Sequence, residues 1–139
     1  VAPIAYAIFS DGALLATYPD PIPPPPPGTV LADTADLWRI PDAGGEPVLL
    51  SRVAGPRWFW TGQFMLPVPF TTAALHASAG ERLVTAAGDV PEVQVHGPDG
   101  RLMARYRVAR GRIYGVVKDS LDVQTVQVFR IRKPAGPGA

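Results

Sequence analysis

The sequence predicts an all-β fold of antiparallel hairpins and short four-stranded sheets, and three observations carry that prediction. Short apolar runs recur between Asp-Gly, Pro and Gly turn signals along most of the chain. In the best-defined run the faces alternate, with Leu102, Ala104, Tyr106 and Val108 on one side and Met103, Arg105 and Arg107 on the other. That is the two-residue period of a half-buried strand, and the three- and four-residue spacing of a helix is missing. The one window of helical composition, Thr71–Ala79, has room for no more than about two turns.

From the N-terminus, Ala5–Phe9 and Ala13–Tyr18 flank Ser10-Asp11-Gly12 and read as a hairpin. Pro19–Gly28 contains Pro23–Pro27 in succession, which removes backbone donors and fixes φ. It is expected as an extended polyproline loop joining two sheet elements. Asp36–Ile40 and Glu46–Val53 flank Pro41–Gly45 as a second hairpin. Arg57–Phe70 is aromatic and broken by Pro67 and Pro69, which suits an edge strand or an irregular crossing. Thr72–Ser78 and Arg82–Ala86 flank Ala79-Gly80-Glu81, and Glu92–His96 and Leu102–Val108 flank Gly97-Pro98-Asp99-Gly100. Arg112–Lys118 and Gln124–Arg132 form a closing pair around Asp119–Val123. The total is roughly 10 to 12 short strands. Residues 1–133 are expected to form one all-β domain and residues 134–139 a flexible tail.

Composition excludes several classes. The 139 residues contain no Cys, so disulfides, thiolate metal sites and cysteine nucleophiles are absent. No apolar run reaches the roughly 18 residues of a membrane-spanning helix. Charged residues make up 18%, below the roughly 25% usual for soluble domains, so much of the surface is expected to face other protein. Net charge is +1 but uneven: residues 1–100 carry 4 Lys and Arg against 10 Asp and Glu, and residues 101–139 carry 9 against 2. The chain opens on Val1 without the basic and apolar regions of a signal peptide, and is expected to be processed, cropped or a gene fragment.

Gly12 and Gly100 each close an Asp-Gly turn ahead of an apolar-apolar-Ala strand, Leu14-Leu15-Ala16 and Leu102-Met103-Ala104. Their separation is twice the roughly 44 residues of a four-stranded propeller blade. Pro67–Phe70 followed by Leu75–Ala79, Leu83–Thr85, Glu92–Val95 and Asp99-Gly100-Arg101-Leu102 resembles one blade of the six-bladed β-propellers of the TolB-like and NHL-like kind. Ile113–Val123 and then Val126–Ile131 are similar to the last strands of bacterial members. The resemblance covers about residues 5–18, 36–55 and 65–131 and implies a partial β-propeller-like repeat architecture, with an extracytoplasmic location compatible. A six-bladed ring needs on the order of 250 residues, so about three blades fit here. The step from Val108 to Arg112 is also shorter than in the family. The chain is therefore expected to be C-terminal blades or a shortened version, whose open faces and strand edges invite self-association.

The candidate chemistry is thin. His76 and His96 show no metal-ligand spacing, and Ser10, Ser51, Ser78 and Ser120 lie in no nucleophile motif. Asp11, Asp42, Asp89, Asp99, Asp119 and Asp122 sit at turns, where Asp bonds its own backbone; a calcium-binding role is the alternative. Arg57-Trp58-Phe59-Trp60 is the most distinctive cluster. Arg57, Trp58 and Trp60 are the candidate binding residues, as a platform that stacks sugar rings or bases, against the alternative that the strand is simply buried on both sides. Arg101, Arg105, Arg107, Arg110, Arg112, Arg130, Arg132 and Lys133 could form a basic strip for phosphate, but alternation makes Arg105 and Arg107 a solvated sheet face, so nucleic acid is not the expected partner. The polyproline run reads as a rigid loop, with recognition by SH3-like domains as the alternative.

The leading expectation is a non-enzymatic propeller-type binding or scaffold module, needing no cofactor or metal, for a small ligand or a protein. The alternatives are a metal-dependent enzyme of the lyase or lactonase type, which some six-bladed propellers resemble, and a structural domain that oligomerises through exposed edges.

Overall fold

In a computed structural model, which describes residues 2–21, 23–118 and 124–132, the chain forms two antiparallel sheets, with no helix among the described residues. The strands are β1 (Ile4–Ile8), β2 (Leu14–Thr17), β3 (Val30–Ile40), β4 (Val48–Trp60), β5 (Met65–Pro67), β6 (Leu75–Ala79), β7 (Arg82–Ala86), β8 (Glu92–His96), β9 (Leu102–Ala109), β10 (Arg112–Lys118) and β11 (Gln124–Arg130). β1 to β5 make a five-stranded meander and β6 to β11 a six-stranded one, each strand pairing with its neighbour in the chain. One of the sheets is strongly curled, in the manner of a half-barrel. The sheets are longer than the short four-stranded ones expected, with five strands in the first and six in the second, where β10 and β11 continue the ladder of β6–β9.

Local turn chemistry explains this pairing. At the first hairpin the Phe9 N–H donates to the Ala13 carbonyl (2.8 Å) and the Gly12 N–H to the Phe9 carbonyl (3.0 Å). Gly12 has φ 88°, and Asp11 Oδ1 accepts the Ala13 N–H at 3.2 Å. Gly97–Arg101 repeats the arrangement: 2.9 and 3.0 Å backbone bonds, Gly100 at φ 84°, and Asp99 Oδ1 accepting the Arg101 N–H at 3.0 Å. Both are type I turns closed by a left-handed residue, a geometry that favours glycine. The two sites that share a sequence therefore share a turn. The short step after Val108 is another hairpin. Ala109 faces Arg112, and Arg110 and Gly111 both have positive φ, 51° and 71°, the signature of a type I′ turn.

One expectation is corrected. Arg57–Trp60 is not an edge strand but the end of the 13-residue β4, flanked by β3 and β5. The edge is Met65–Pro67 alone, after which Pro67 and Pro69 withhold ladder donors and the chain crosses to the second sheet. The window Thr71–Ala79 is extended, as the hairpin reading of Thr72–Ser78 expects, with β6 beginning at Leu75, because the β-hairpin to β7 offers partners that an isolated two-turn helix lacks. Asp119–Val123, Lys133 and the tail lie outside the described residues.

The sheets share one small core. Phe9, Ala13, Leu15, Leu37 and Leu50 from the first sheet and its first turn enclose Leu83 of β7. Backbone bonds stitch the same junction: the Ser10 N–H donates to the Gly80 carbonyl (2.9 Å) and the Ala74 N–H to the Ala54 carbonyl (2.9 Å). The Gly100 backbone lies against β4 so closely that an added Cβ would sit 2.4 Å from the Leu49 carbonyl oxygen.

Leu83→Ala is expected to lower the unfolding free energy by about 2–5 kcal/mol, read from urea titration, because a wholly buried side chain would leave a cavity between the sheets. Gly100→Ala combines a left-handed φ with a backbone clash and should destabilise by more than about 2 kcal/mol. Gly111→Ala, with equally positive φ but open space around it, should cost only about 1 kcal/mol; equal losses at the two glycines would contradict this packing.

Candidate functional site

The break between the sheets leaves a cleft of about 590 Å³, walled by β3 and β4 on one side and by the end of β7 and its following loop on the other. Its shape follows from three local features. The β3–β4 register shifts so that Gly55 and Pro56 of β4 stand opposite the single residue Asp33 of β3, a bulge in β4. Gly55 lies opposite, and a Cβ there would approach the Asp33 Cβ to 3.2 Å. On the far wall Gly88 seats the crossing segment: a Cβ would stand 2.6 Å from the Thr72 Cβ and 2.7 Å from the Ala73 carbonyl oxygen.

The crossing segment is held at both ends. The Val68 N–H donates to the Arg57 carbonyl (3.0 Å), the Thr71 hydroxyl donates to the Val68 carbonyl (2.9 Å), and Ala74 bonds Ala54 as above. Between these ties Phe70 lines the cleft with its side chain fully exposed and φ at 59°. A left-handed backbone costs a residue with a Cβ about 1–2 kcal/mol, so the flanking bonds impose the conformation on this ring.

Charges around the cleft divide into two kinds. Arg52 forms a two-pronged bond to Asp36, at 2.5 and 2.9 Å. That guanidinium holds the Asp36 carboxyl below its ordinary range, and the carboxylate raises Arg52. Glu92 accepts from Gln94 (3.0 Å) and pairs with Arg105 (3.1 Å) and Arg107 (3.7 Å). In contrast, the side chains of Asp33, Arg57 and Asp89 face the same cleft without an ion-pair or hydrogen-bond partner among the described residues.

The predicted residues Arg57, Trp58 and Trp60 do not form one platform. Neighbours in a strand point to opposite faces; Arg57 and Phe59 are exposed while Trp58 and Trp60 are half-buried. Only Arg57 reaches the cleft. The Trp60 backbone instead anchors the end of the polyproline loop, its carbonyl accepting the Gly28 N–H at 2.7 Å and its N–H donating to the Thr29 carbonyl at 2.9 Å. Phe70 and Asp33 are cleft residues that the amino-acid pattern did not single out, and Asp89, expected as a turn carboxylate, joins them there. A Pro-interrupted aromatic stretch signalled the crossing at Phe70, and Gly55-Pro56 is the local signal for the β4 bulge opposite Asp33, since Pro56 has no ladder donor.

The other candidates resolve into structural roles. Asp11 and Asp99 bond their own turns, and Asp11 also pairs with Arg39, whose guanidinium stands 5.6 Å from the Phe9 ring centre. Arg105 and Arg107 meet Glu92, so part of the positive C-terminal charge is neutralised by the acidic half. The Ser78 hydroxyl donates to the Ile8 carbonyl at 3.3 Å. His76 packs its ring 4.6 Å from that of Tyr6. Ser120, Asp119, Asp122 and Lys133 lie outside the described residues. Among the described residues no group of three or more His, Asp or Glu is placed to hold a metal ion, and no helix is long and apolar enough to cross a membrane. Comparison with protein-family models, curated proteins and solved structures finds no match.

His96 is buried away from the cleft, and its Nδ1 has no hydrogen-bond partner among the described residues. Burial pushes its imidazole below the ordinary value of 6.5. The unfolded chain therefore takes up the proton first as pH falls. The neutral ring's contribution is complete above about 6.5 and is lost as acidification proceeds toward the folded-state value. Thermal melts from neutral to mildly acidic pH should show a falling Tm, and His96→Leu should flatten that slope; an unchanged slope would remove His96 as its source.

Proposed function

We propose that this chain is a non-enzymatic binding module of β-propeller type and that the cleft between its sheets takes a small hydroxyl-rich ligand of the saccharide class. The observation that carries the reading is the joint exposure of Phe70, held in a strained backbone, with the unpaired Asp33, Arg57 and Asp89 around one cleft. Strain of this kind persists where the surroundings impose it, and it concentrates at ligand clamps. An apolar ring face beside carboxylates, a guanidinium and the hydroxyls of Thr72 and Thr85 matches the two-sided chemistry of a sugar, with C–H faces to stack and hydroxyls to exchange hydrogen bonds. A cleft of this volume is of the size that ligand sites occupy. The blade-like order of β6–β9 and the Asp99-Gly100-Arg101-Leu102 turn support the propeller kinship, which supplies the preference for binding over catalysis.

The test is a titration with neutral and acidic mono- and oligosaccharides, followed by amide chemical shifts. Shifts confined to residues around Thr72, Thr85 and Gly88 are expected, and a panel that moves none of them would overturn the reading. Arg57→Ala should weaken binding about tenfold, the loss of one charge-assisted hydrogen bond. Phe70→Gly should abolish detectable binding while leaving stability unchanged or raising it by up to about 1 kcal/mol, since glycine accepts the left-handed φ.

A further inference from the structure

Strand β11 ends the second sheet and pairs only with β10 among the described residues. Its seven residues, QTVQVFR, contain no proline and a single charge at the end. The other sheet ends are blunted. β5 has three residues and stops at Pro67, while β1 and β6 adjoin each other through the Ser78 bond to Ile8 and the Tyr6–His76 ring contact. An edge of this length and composition is a template for another strand.

The direction of its free backbone groups can be read from the ladder. Ile131 donates its N–H to the Gly111 carbonyl at 3.0 Å, and Phe129, Gln127 and Thr125 follow at two-residue steps opposite Ile113, Gly115 and Val117. Antiparallel alternation then turns the backbone groups of Gln124, Val126, Val128 and Arg130 outward. The side chains of Val126 and Val128 are 70% and 55% exposed, and they lie beside Val116 and Tyr114 on the same face.

We propose that β11 pairs antiparallel with the same strand of a second copy of this chain, about a two-fold axis at Gln127. The strand is complementary to itself in that register. Val126 opposes the partner's Val128 as a bonded pair, and Gln124 opposes the partner's Arg130, so the one charge of the strand never meets its like. Gln127 meets the partner's Gln127 in a non-bonded pair, where side chains come closest and two amides can exchange hydrogen bonds. One apolar row then runs from Val116 and Val126 to the partner's Val128 and the partner's Tyr114, with Arg105 and Arg107 at the outer ends. Such a two-fold contact closes on itself and does not propagate into a fibre. An edge interface is small, so a concentration-dependent equilibrium follows. The proposal rests on different residues from the cleft and stands or falls independently of it.

Sedimentation equilibrium of the full chain over a concentration series should show the mass climbing from 14.8 kDa toward twice that value. Val126→Pro removes an outward amide while leaving the β10 ladder donors in place, and should hold the mass at one chain with an unchanged β circular dichroism spectrum. The chain has no cysteine, so Gln127→Cys places its thiols opposite each other at the axis and should cross-link on mild oxidation, at a Cα separation of about 4.5 Å. Thr125→Cys, which opposes the partner's Phe129, should cross-link at least about tenfold more slowly. A single 14.8 kDa species at the highest concentration reached, masses beyond a dimer, or equal cross-linking of the two cysteine variants would overturn the proposal.

Discussion

The burial of Leu83 between the Phe9–Leu15 hairpin and the Leu37–Leu50 wall is the constraint on which the two-sheet arrangement depends. Each sheet assembles from contacts between chain neighbours, so each could form locally. What joins them is one small cluster and a few backbone bonds around the Ser10–Gly80 and Ala54–Ala74 contacts. A fully buried leucine contributes about 1.5–3 kcal/mol, and a domain's net stability is only about 5–15 kcal/mol. A handful of such side chains therefore decides whether the sheets dock.

Docking of the sheets creates the cleft as a by-product. The crossing segment must travel from the Pro67 edge to Leu75 while keeping Val68 bonded to Arg57 and Ala74 bonded to Ala54. The residue left between these ties is Phe70, and the left-handed backbone falls on a bulky side chain rather than on a glycine. The same docking brings Asp33, opposite the β4 bulge, and the loop residue Asp89 to the cleft that Arg57 lines. Those residues are far apart in the chain, so their meeting is a property of the packed sheets and not of any motif.

The charge layout follows a similar logic. The acidic N-terminal part and basic C-terminal part look like separate surfaces when counted along the chain. In the folded sheet Glu92 lies across the ladder from Arg107, next to Arg105, and cross-strand pairing neutralises part of the contrast. What stays open is apolar: the exposed valines of β11 belong to an edge that neither Pro nor an internal charge protects.

Strand order within each sheet was legible in the amino-acid sequence, because type I, I′ and glycine-closed turns are chosen by two or three adjacent residues and antiparallel neighbours need nothing more. Asp11-Gly12, Asp99-Gly100 and the Pro67–Pro69 interruption each announced a turn or a break. The Arg57 cluster shows the boundary of that legibility: alternation placed Trp58 and Trp60 on one face and Phe59 on the other, but not which face would look into a cleft. The sequence by itself determined an all-β chain of hairpins, since turn geometry and a period of two are local properties. Tertiary structure alone decided where the ladder splits into two sheets, which side of β4 meets solvent and which distant polar groups share a cleft, because those depend on Leu83 finding its place in a core built by residues elsewhere in the chain.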